Sequence, residues 1–289
     1  MASVATALFL VGLKIFALYK TGSVAVLSGL TDSSLDLFAS FLNFLAVRGA
    51  LEPADETHRF GHGKIEALGS TGQAAFIAGS ACLLAFQAVT SLLSPKPVSR
   101  PDVGIAVMGI SVAASLVLIV FQRYVVKKTG SIAVSADYAH YAGDVLLNSS
   151  VMVSLFLGKY VACPLIDPLF GLGIAVYLIF CAVRIWKTAF AELTDEELDA
   201  DTKRKIVAIV RQNPDVLGIH DLRTRSSGEK KFVQMHLELD SQMTLERAHA
   251  VSDAVESAVT AAFPDAEVLI HQDPSGLFEN HSKLAYDLN

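Results

Sequence analysis

Two pairs of ionisable side chains lie at helical spacing in apolar segments that nearly repeat one another. Asp32 and Asp36 follow a Thr-Gly-Ser-Val-Ala-Val sequence, and His140 and Asp144 follow Thr-Gly-Ser-Ile-Ala-Val, at the same offsets of eleven and fifteen residues from the threonine. Residues four apart share one face of a helix, so each segment presents two ligand-type groups in one direction. We expect the two helices to face each other and to form a four-ligand cage.

The chemistry that these four groups share is metal and proton binding. An ionisable residue inside a membrane span costs about 2.5–3.5 kcal/mol on insertion scales, and three carboxylates would repel one another without a cation. Oxygen and imidazole ligands in a four-coordinate arrangement suit Zn²⁺ and would also accept Cd²⁺, Fe²⁺ or Mn²⁺. Protons compete with metal for the same atoms, so the residues predict proton-coupled metal transport. The competing interpretation is a set of buried polar groups that only hold the helices together.

The elements that must position these groups are apolar helices. Hydrophobic residues make up 52% of the 289 residues, which is too high for an ordinary soluble domain of this length. Apolar runs long enough to cross a lipid bilayer recur over residues 1–192, which we assign to a transmembrane domain. They predict six transmembrane helices, at 2–19, 24–47, 65–93, 103–126, 132–159 and 166–189. Lys14 lies near an end of the first span, where its side chain is expected to reach the lipid headgroups in a structural role.

Basic residues predict the orientation of the spans. Positively charged loops favour the cytoplasmic side of a membrane. The loops after the second and fourth spans hold six basic residues, Arg48, Arg59, Lys64, Arg123, Lys127 and Lys128. The opposite face holds four, Lys20, Lys96, Arg100 and Lys159. The loop after the second span and the C-terminal tail are therefore expected in the cytoplasm.

That cytoplasmic loop carries a second set of ligand-type residues, Asp55, His58 and His62. Their spacing suits a metal ion, and solvated loop residues are an equal alternative from spacing alone. The Gly61-His-Gly-Lys64 sequence lacks the earlier glycine and the following Ser or Thr of a phosphate-binding loop, so we expect no nucleotide site.

Residues 193–289 predict a polar, acidic domain. They contain 18 acidic and 10 basic residues, a net charge of −8, whereas residues 1–192 have a net charge of +2. An acidic domain argues against nucleic-acid binding and favours cations as partners. Hydrophobic periodicity predicts the order α-β-β-α-β, with helices at 201–212 and 244–263 and strands at 218–224, 231–239 and 267–272. This order indicates an open sheet with helices on one face.

Histidines are concentrated in this tail. The candidate ligands for one or two metal ions are His220, His236, His249, His271 and Asp273. Scattered surface histidines are the alternative, and His281 is expected to have no specific role. Cys82, Cys163 and Cys181 are interpreted as apolar packing residues, because their spacing fits neither a disulfide framework nor a thiolate zinc site.

Taken together, the motifs resemble those of the cation diffusion facilitator family, and most closely its bacterial zinc/iron-efflux branch. They are Asp-x₃-Asp in the second span, His-x₃-Asp in the fifth, the Pro-Ala-Asp-x₂-His-x-Phe-Gly-His-Gly-Lys loop, and the His-Asp-Leu-Arg-Thr-Arg and His-Gln-Asp-Pro sequences of the tail. The resemblance runs over essentially the whole chain.

This resemblance implies a homodimer of six-helix subunits in the bacterial inner membrane that exchanges cytoplasmic Zn²⁺ for protons by alternating access. The two helical pairs match a transport site and the loop residues match a loop site. The five tail residues match a binuclear site in a ferredoxin-like, metallochaperone-like cytoplasmic domain that helps dimerisation. Lys64 and Asp195 match a charge pair that locks the subunits near the membrane surface. Members with His in place of Asp32 are regarded as more zinc-selective, so the aspartate leaves room for broader metal use.

Two other classes of function compete with a transporter. An intramembrane metallohydrolase could use a metal with an open position to activate water, and a metal-sensing scaffold would use the spans only as an anchor. The chain has no HExxH or Gly-x-Ser-x-Gly sequence and no spare carboxylate placed as a general base, so we expect no enzyme. Loss of ion flux in an Asp36→Ala protein with tail metal binding intact would separate transporter from scaffold.

Overall fold

The computed structural model describes residues 1–21, 24–93, 102–157 and 165–276. It divides into two compact units, Met1–Phe190 and a second unit that begins at Ala191. Several predictions fall outside the described residues, namely the turn at 22–23, the outer-face residues Lys96, Arg100 and Lys159, and the roles of Cys163 and His281.

The first unit consists of six long helices in the order expected from the apolar runs. They are α1 (Ala2–Thr21), α2 (Val24–Ala50), α3 (Lys64–Leu93), α4 (Asp102–Thr129), α5 (Ile132–Leu157) and α6 (Ile166–Leu193). Each helix ends within four residues of its predicted span, because the apolar runs and the polar loops between them determine where each helix can lie in a bilayer.

Four of these helices, α1, α3, α4 and α6, are long and apolar enough to cross a membrane within the part of the chain that the structure describes. The other two, α2 and α5, are the helices that carry the ligand-type pairs. They have 27 and 26 residues, or about 40 Å at 1.5 Å per residue, against a hydrocarbon core of about 30 Å. Their length permits a full crossing, which stays a prediction.

Helix α2 lies against α1, α3 and α5, and α5 also contacts α3 and α4. Two glycines allow close approaches within this bundle. A Cβ atom added at Gly69 would lie 2.3 Å from Ala46 Cβ on α2, and one added at Gly143 would lie 2.5 Å from Leu178 Cδ2 on α6. The small residues of α3 and α5 therefore set how near the ligand-bearing helices come to their neighbours.

The second unit has the predicted order α-β-β-α-β. Its elements are α7 (Ala200–Val210), β1 (Gly218–Ser227), β2 (Lys230–Leu239), α8 (Leu245–Ala262) and β3 (Ala266–Pro274). The sheet order is β1-β2-β3, with β1 antiparallel and β3 parallel to β2. This topology agrees with the open α/β domain expected from the sequence.

Both helices of this unit cover the same face of the sheet. Their apolar residues form one core with Val233, Met235 and Leu237 of β2. Side chains alternate between the two faces of a strand, so His236 lies on the face that α7 and α8 leave open. The strand-borne ligand candidates can thus gather on that open face.

We predict that Gly69→Ala destabilises the transmembrane unit, because the added methyl group would overlap Ala46, whose Cβ is attached directly to the α2 backbone. Overpacking of this kind costs about 1–3 kcal/mol, which should lower the thermal unfolding midpoint of the detergent-solubilised protein. Gly72→Ala is the matched control, since nothing lies within 4 Å of a Cβ at that position on the same helix. Equal midpoints for the two variants would contradict the close α2–α3 approach.

Candidate metal centre

The centre of the first unit brings together three of the four predicted transport-site residues. His140 Nε2 lies 3.2 Å from Asp36 Oδ1 and 3.7 Å from Asp144 Oδ2. One ligand atom from each of the three residues lies within 4.8 Å of the other two. His140 is buried and the two carboxylates are half-buried. The expected pairing of α2 with α5 is present, and its polar faces point at each other.

Asp32 does not join this group, so the geometry differs from the predicted four-ligand cage. Asp32 lies one helical turn before Asp36 on α2, and its side chain is exposed. Carboxylates four residues apart on a helix repel each other, which favours an Asp32 side chain turned away from Asp36. Its role as a fourth ligand stays a prediction.

Hydrogen bonds on both sides of His140 join α2 to α5. The hydroxyl groups of Ser40 and Tyr141 lie 3.0 Å apart, and Asn43 Nδ2 donates to the Ala133 carbonyl at 3.2 Å. The rings of Phe76 and Tyr141 meet the imidazole edge-on, with centroids 5.7 and 5.6 Å away. These contacts restrict the imidazole to an orientation that faces the carboxylates.

The N-terminus of α5 is held by a buried acid that the sequence analysis did not single out. Glu66 Oε1, in the first turn of α3, accepts hydrogen bonds from Ser131 Oγ at 2.6 Å and from the Ala133 amide at 3.2 Å. The first amides of a helix have no partner within the helix, so Glu66 supplies a cap from a neighbouring helix. It thereby fixes the end of the helix that carries His140.

A second missed acid, Asp137, lies one turn before His140 on α5. It is 2% exposed, and its Oδ2 accepts a hydrogen bond from Gln122 Nε2 of α4 at 2.8 Å. Gln122 Nε2 also lies 3.3 Å from Ser3 Oγ of α1. The signal was available, because an ionisable residue inside a span is a candidate functional group. Asp137 was overlooked because it falls outside the repeated i, i+4 pattern.

Lys14 is placed differently from our expectation. Its ammonium group does not extend along α1 toward the headgroups, but donates to the Gly29 carbonyl at 2.9 Å and to Ser33 Oγ at 2.6 Å, both on α2. The interpretation of Lys14 as a residue that reaches the lipid headgroups was wrong. Sequence reasoning missed this contact because it depends on which face of α1 meets α2.

The loop residues Asp55, His58 and His62 also come together, with ligand atoms within 4.8 Å of one another. His58 Nδ1 lies 3.3 Å from Asp55 Oδ1, and His62 Nε2 lies 3.6 Å from Asp55 Oδ2. His62 Nδ1 lies 3.2 Å from the Pro53 carbonyl, which favours a proton on Nδ1 and leaves the Nε2 lone pair free for a metal. The spacing thus folds into an arrangement that could bind a cation.

Local hydrogen bonds define the position of the Asp55 carboxylate. Its Oδ1 accepts from the His58 amide at 2.6 Å and from the Thr57 amide at 2.8 Å and hydroxyl at 2.9 Å. These donors, led by the His58 amide, lower the pKa of Asp55 to about 2. Asp55 is therefore ionised, and ready to bind a cation, well below neutral pH.

Three residues of the second unit form a third group on the open face of the sheet. His236 Nδ1 lies 2.8 Å and His220 Nε2 lies 3.2 Å from Asp273 Oδ2, and Asp273 is buried. His271 Nε2 lies 3.2 Å from the other oxygen, Asp273 Oδ1. His220, His236 and His271 are direct neighbours in the strand register. The Asp273 carboxylate thus lies between histidines from all three strands, as a bridging ligand of two metal ions would.

His249 does not join this group within the chain, contrary to the predicted five-residue set. It lies on α8, where its Nε2 is 3.5 Å from Asp253 Oδ2 and its side chain is 70% exposed. The reason is topological, because α8 covers the opposite face of the sheet. Asp221, which sequence reasoning missed, is nearer, with Oδ2 3.8 Å from His236 Nε2 at a strand irregularity where its φ is 48°.

Asp195, one member of the expected charge pair, contacts an arginine of β1. Its Oδ1 lies 3.3 Å from Arg225 Nη1, within the second unit. Asp195 and Lys64 belong to different units, so the pair between them stays a prediction.

Comparisons with known proteins now agree with this architecture. The family profile of the cation efflux transmembrane domain matches residues 1–194, and the profile of the cation efflux protein cytoplasmic domain matches residues 198–275. The chain belongs to the cation diffusion facilitator family. This confirms the resemblance inferred from the motifs and identifies the protein as a cation-efflux transporter with transmembrane helices.

The chain is similar to individual members over its whole length. It is 43% identical over 288 residues to the cation-efflux pump FieF of Yersinia pestis and equally to that of Yersinia pseudotuberculosis, with 100% of this chain and 96% of each relative covered. Among solved structures, the metal-bound C-terminal domain of the CzcD transporter from Thermotoga maritima is 31% identical. That match covers 27% of this chain and 93% of the other, with a TM-score of 0.27.

We predict that Asp55 remains a carboxylate at pH 4, where an ordinary aspartate is about half protonated. Because the pKa is lowered, the stabilisation that the loop hydrogen bonds give to the folded chain is complete above an aspartate's usual pKa of 3.8. This stabilisation is lost only as the pH falls through about 2. The ¹³C shift of the Asp55 carboxyl carbon in nanodiscs, assigned by its absence in Asp55→Asn, should be that of a carboxylate at pH 4. A titration midpoint at or above 3.8 would contradict the loop geometry.

Proposed function

We propose that this chain is an antiporter that exports Zn²⁺ from the cytoplasm in exchange for protons by alternating access. The proposal rests on the contact of His140 with Asp36 and Asp144, which places ligands of two helices around one point inside the bundle. It acts as a homodimer in a bacterial inner membrane, with its second unit in the cytoplasm. The family membership supports efflux of cations, and the site geometry supports a divalent metal as the cargo.

Charge favours a divalent cation at this point. Two adjoining helices, α2 and α5, carry four carboxylates, Asp32, Asp36, Asp137 and Asp144, and two of these lie beside His140. Carboxylates in a low-dielectric region require compensation by a positive charge. A metal ion that binds Asp36, His140 and Asp144 supplies that charge and satisfies the imidazole lone pair at once.

Proton exchange follows from the same atoms. His140 Nε2 lies 3.2 Å from Asp36 Oδ1, a distance at which a proton on one group bonds the other. A metal that binds these atoms must displace that proton. The ligand set is therefore filled either by protons or by metal, which couples the two fluxes.

The donor set supports Zn²⁺ together with related metals. One nitrogen and carboxylate oxygens suit Zn²⁺ and would also bind Cd²⁺, Fe²⁺ and Mn²⁺, and no sulfur ligand lies in the described group that would favour Cu⁺. Side-by-side uptake of these metals into vesicles ranks them directly.

We predict that transport requires the charge of Asp36. In proteoliposomes an imposed pH gradient should drive Zn²⁺ accumulation, and Asp36→Asn should abolish both metal flux and counter-flux of protons, because the amide keeps the shape but loses the charge. Ser34→Ala is the matched control, since Ser34 lies on α2 with an exposed hydroxyl bonded to its own helix at the Leu30 carbonyl.

Two results would contradict this mechanism. Zn²⁺ flux that ignores the pH gradient would remove the exchange step, even with the binding site intact. Flux that survives in Asp36→Asn would remove the site itself and leave the metal-sensing scaffold, in which the spans only anchor the second unit. The family membership is that of a cation-efflux transporter and favours transport over a metallohydrolase.

For the second unit we propose a regulatory role. Metal bound by His220, His236 and Asp273 would offset part of the acidic charge of two tails and hold them together in the dimer. The bound metal would thereby bias the transmembrane units toward transport. The loop group Asp55, His58 and His62 would bind metal on the same side of the membrane.

We predict that His236→Ala shifts the dependence of transport rate on Zn²⁺ to higher concentrations without abolishing transport, because it removes a ligand 2.8 Å from Asp273. Glu256→Ala, at an exposed position on α8, is the control and should leave the curve unchanged. An unchanged curve for His236→Ala would make the cluster merely structural, and an equal shift for Glu256→Ala would show that the effect does not come from loss of a metal ligand.

A further inference from the structure

The Lys14 contact with α2 lies on the same helix face as the transport ligands. Gly29 and Ser33, which accept its two hydrogen bonds, precede Asp36 by seven and three residues on α2. Asp32 lies between them in the chain. Residues three, four and seven apart share a face of a helix, so the ammonium group lies along the row that leads to the ligands.

The aliphatic end of Lys14 follows the same surface. A Cβ at Gly29 would lie 3.7 Å from Lys14 Nζ and 3.8 Å from Cε, so the absence of a side chain at Gly29 leaves room for the ammonium group. Ser33, which accepts its second hydrogen bond, is the direct chain neighbour of Asp32 and lies three residues before Asp36 on α2. Lys14 is thus a cation beside the acidic face of α2.

A structural tie between α1 and α2 does not by itself require a charge here. A neutral donor could serve the Gly29 carbonyl and the Ser33 hydroxyl equally well, whereas a charged lysine inside a span is costly without an anionic partner. The ammonium charge is therefore explained by the nearby carboxylates and not by the hydrogen bonds alone.

We infer that Lys14 is a specificity-determining residue of the transport site, a resident cation that sets the charge of the ligand set to match one divalent metal ion. With a neutral imidazole, the predicted ligands Asp32, Asp36 and Asp144 carry three negative charges. Asp137 bonds Gln122 of α4 and is not counted among the ligands. Lys14 reduces the net charge to minus two, which one divalent ion neutralises. This inference rests on the proposed transport function and adds a residue on a third helix, α1, to the site.

The positive charge of Lys14 also promotes release of the bound metal ion. Lys14 repels a bound metal ion, so it weakens binding and speeds dissociation on the far side of the membrane. Even at about 10 Å and an effective dielectric constant of about 20, the repulsion between one charge and a divalent ion exceeds the free energy of a tenfold change in affinity. Turnover in a carrier requires such a limit on affinity, because an ion bound too tightly is not released.

The test measures Zn²⁺ transport against Zn²⁺ concentration in proteoliposomes of the full chain at a fixed pH gradient. Lys14→Gln keeps a hydrogen-bond donor without the charge. It should lower the half-saturating Zn²⁺ concentration about tenfold or more and should also lower the maximal rate. Lys14→Arg restores the charge and should return the half-saturating concentration to within about twofold of wild type. Lys20→Gln, at an exposed position in the last turn of α1, is the matched control.

The outcomes separate this inference from the proposed function. Suppose that transport depends on Asp36 but that Lys14→Gln leaves the half-saturating Zn²⁺ concentration unchanged or raises it. That result overturns the role of the Lys14 charge and leaves the antiporter proposal intact. A tenfold change in half-saturation in Lys14→Arg overturns it as well, whether or not Lys14→Gln folds. Transport that does not depend on Asp36 removes the proposed function and this inference with it.

Discussion

The contact between Asp36 and His140 is the interaction on which the transmembrane unit depends. The two residues are 104 positions apart in the chain and come from α2 and α5. Neither group is tolerable among apolar side chains unless it faces a partner. This requirement dictates that α2 and α5 adjoin, and the remaining helices surround a pair whose polar faces are already turned toward each other.

The groups around this contact are held by polar bonds that join different helices. Ser40 with Tyr141, Asn43 with the Ala133 backbone, and Gln122 with Asp137 tie α5 to α2 and to α4. Such bonds orient the side chains that make them, while Asn43 Oδ1, Gln122 Oε1 and Asp137 Oδ1 have no hydrogen-bond partner among the described residues. In the proposed transport cycle, access would change through movement of whole helices joined by these bonds.

Much of this architecture could be predicted from the sequence, because it follows from periodicity. The apolar runs predicted six helices, the alternation in the tail predicted its strands, and the i, i+4 pairs predicted which faces would meet. The strand positions of His220, His236 and Asp273 led to the correct cluster for the same reason. These features depend on local spacing, which a sequence displays directly.

What escaped prediction depends on which surfaces meet in three dimensions. Lys14 required knowledge of the α1–α2 contact, and Glu66 required knowledge that α3 and α5 begin side by side. His249 lies apart from the cluster within the chain, because composition does not reveal which face of a sheet a helix covers, and its role as a ligand stays a prediction. Asp32 repeats the spacing of His140, but its side chain is exposed, so its role as a fourth ligand also stays a prediction.

The cap that Glu66 places on α5 has a consequence for how the helices can move. Its carboxylate accepts hydrogen bonds from both Ser131 and Ala133 at the first turn of α5, so a lengthwise shift of α5 alone would break both bonds. A shift that keeps them would move α3 and α5 together, because Glu66 lies two positions after Lys64, the first residue of α3. Such a joint shift would carry His140 and Asp144 past α2 together and would also displace the histidine-bearing loop that leads into α3.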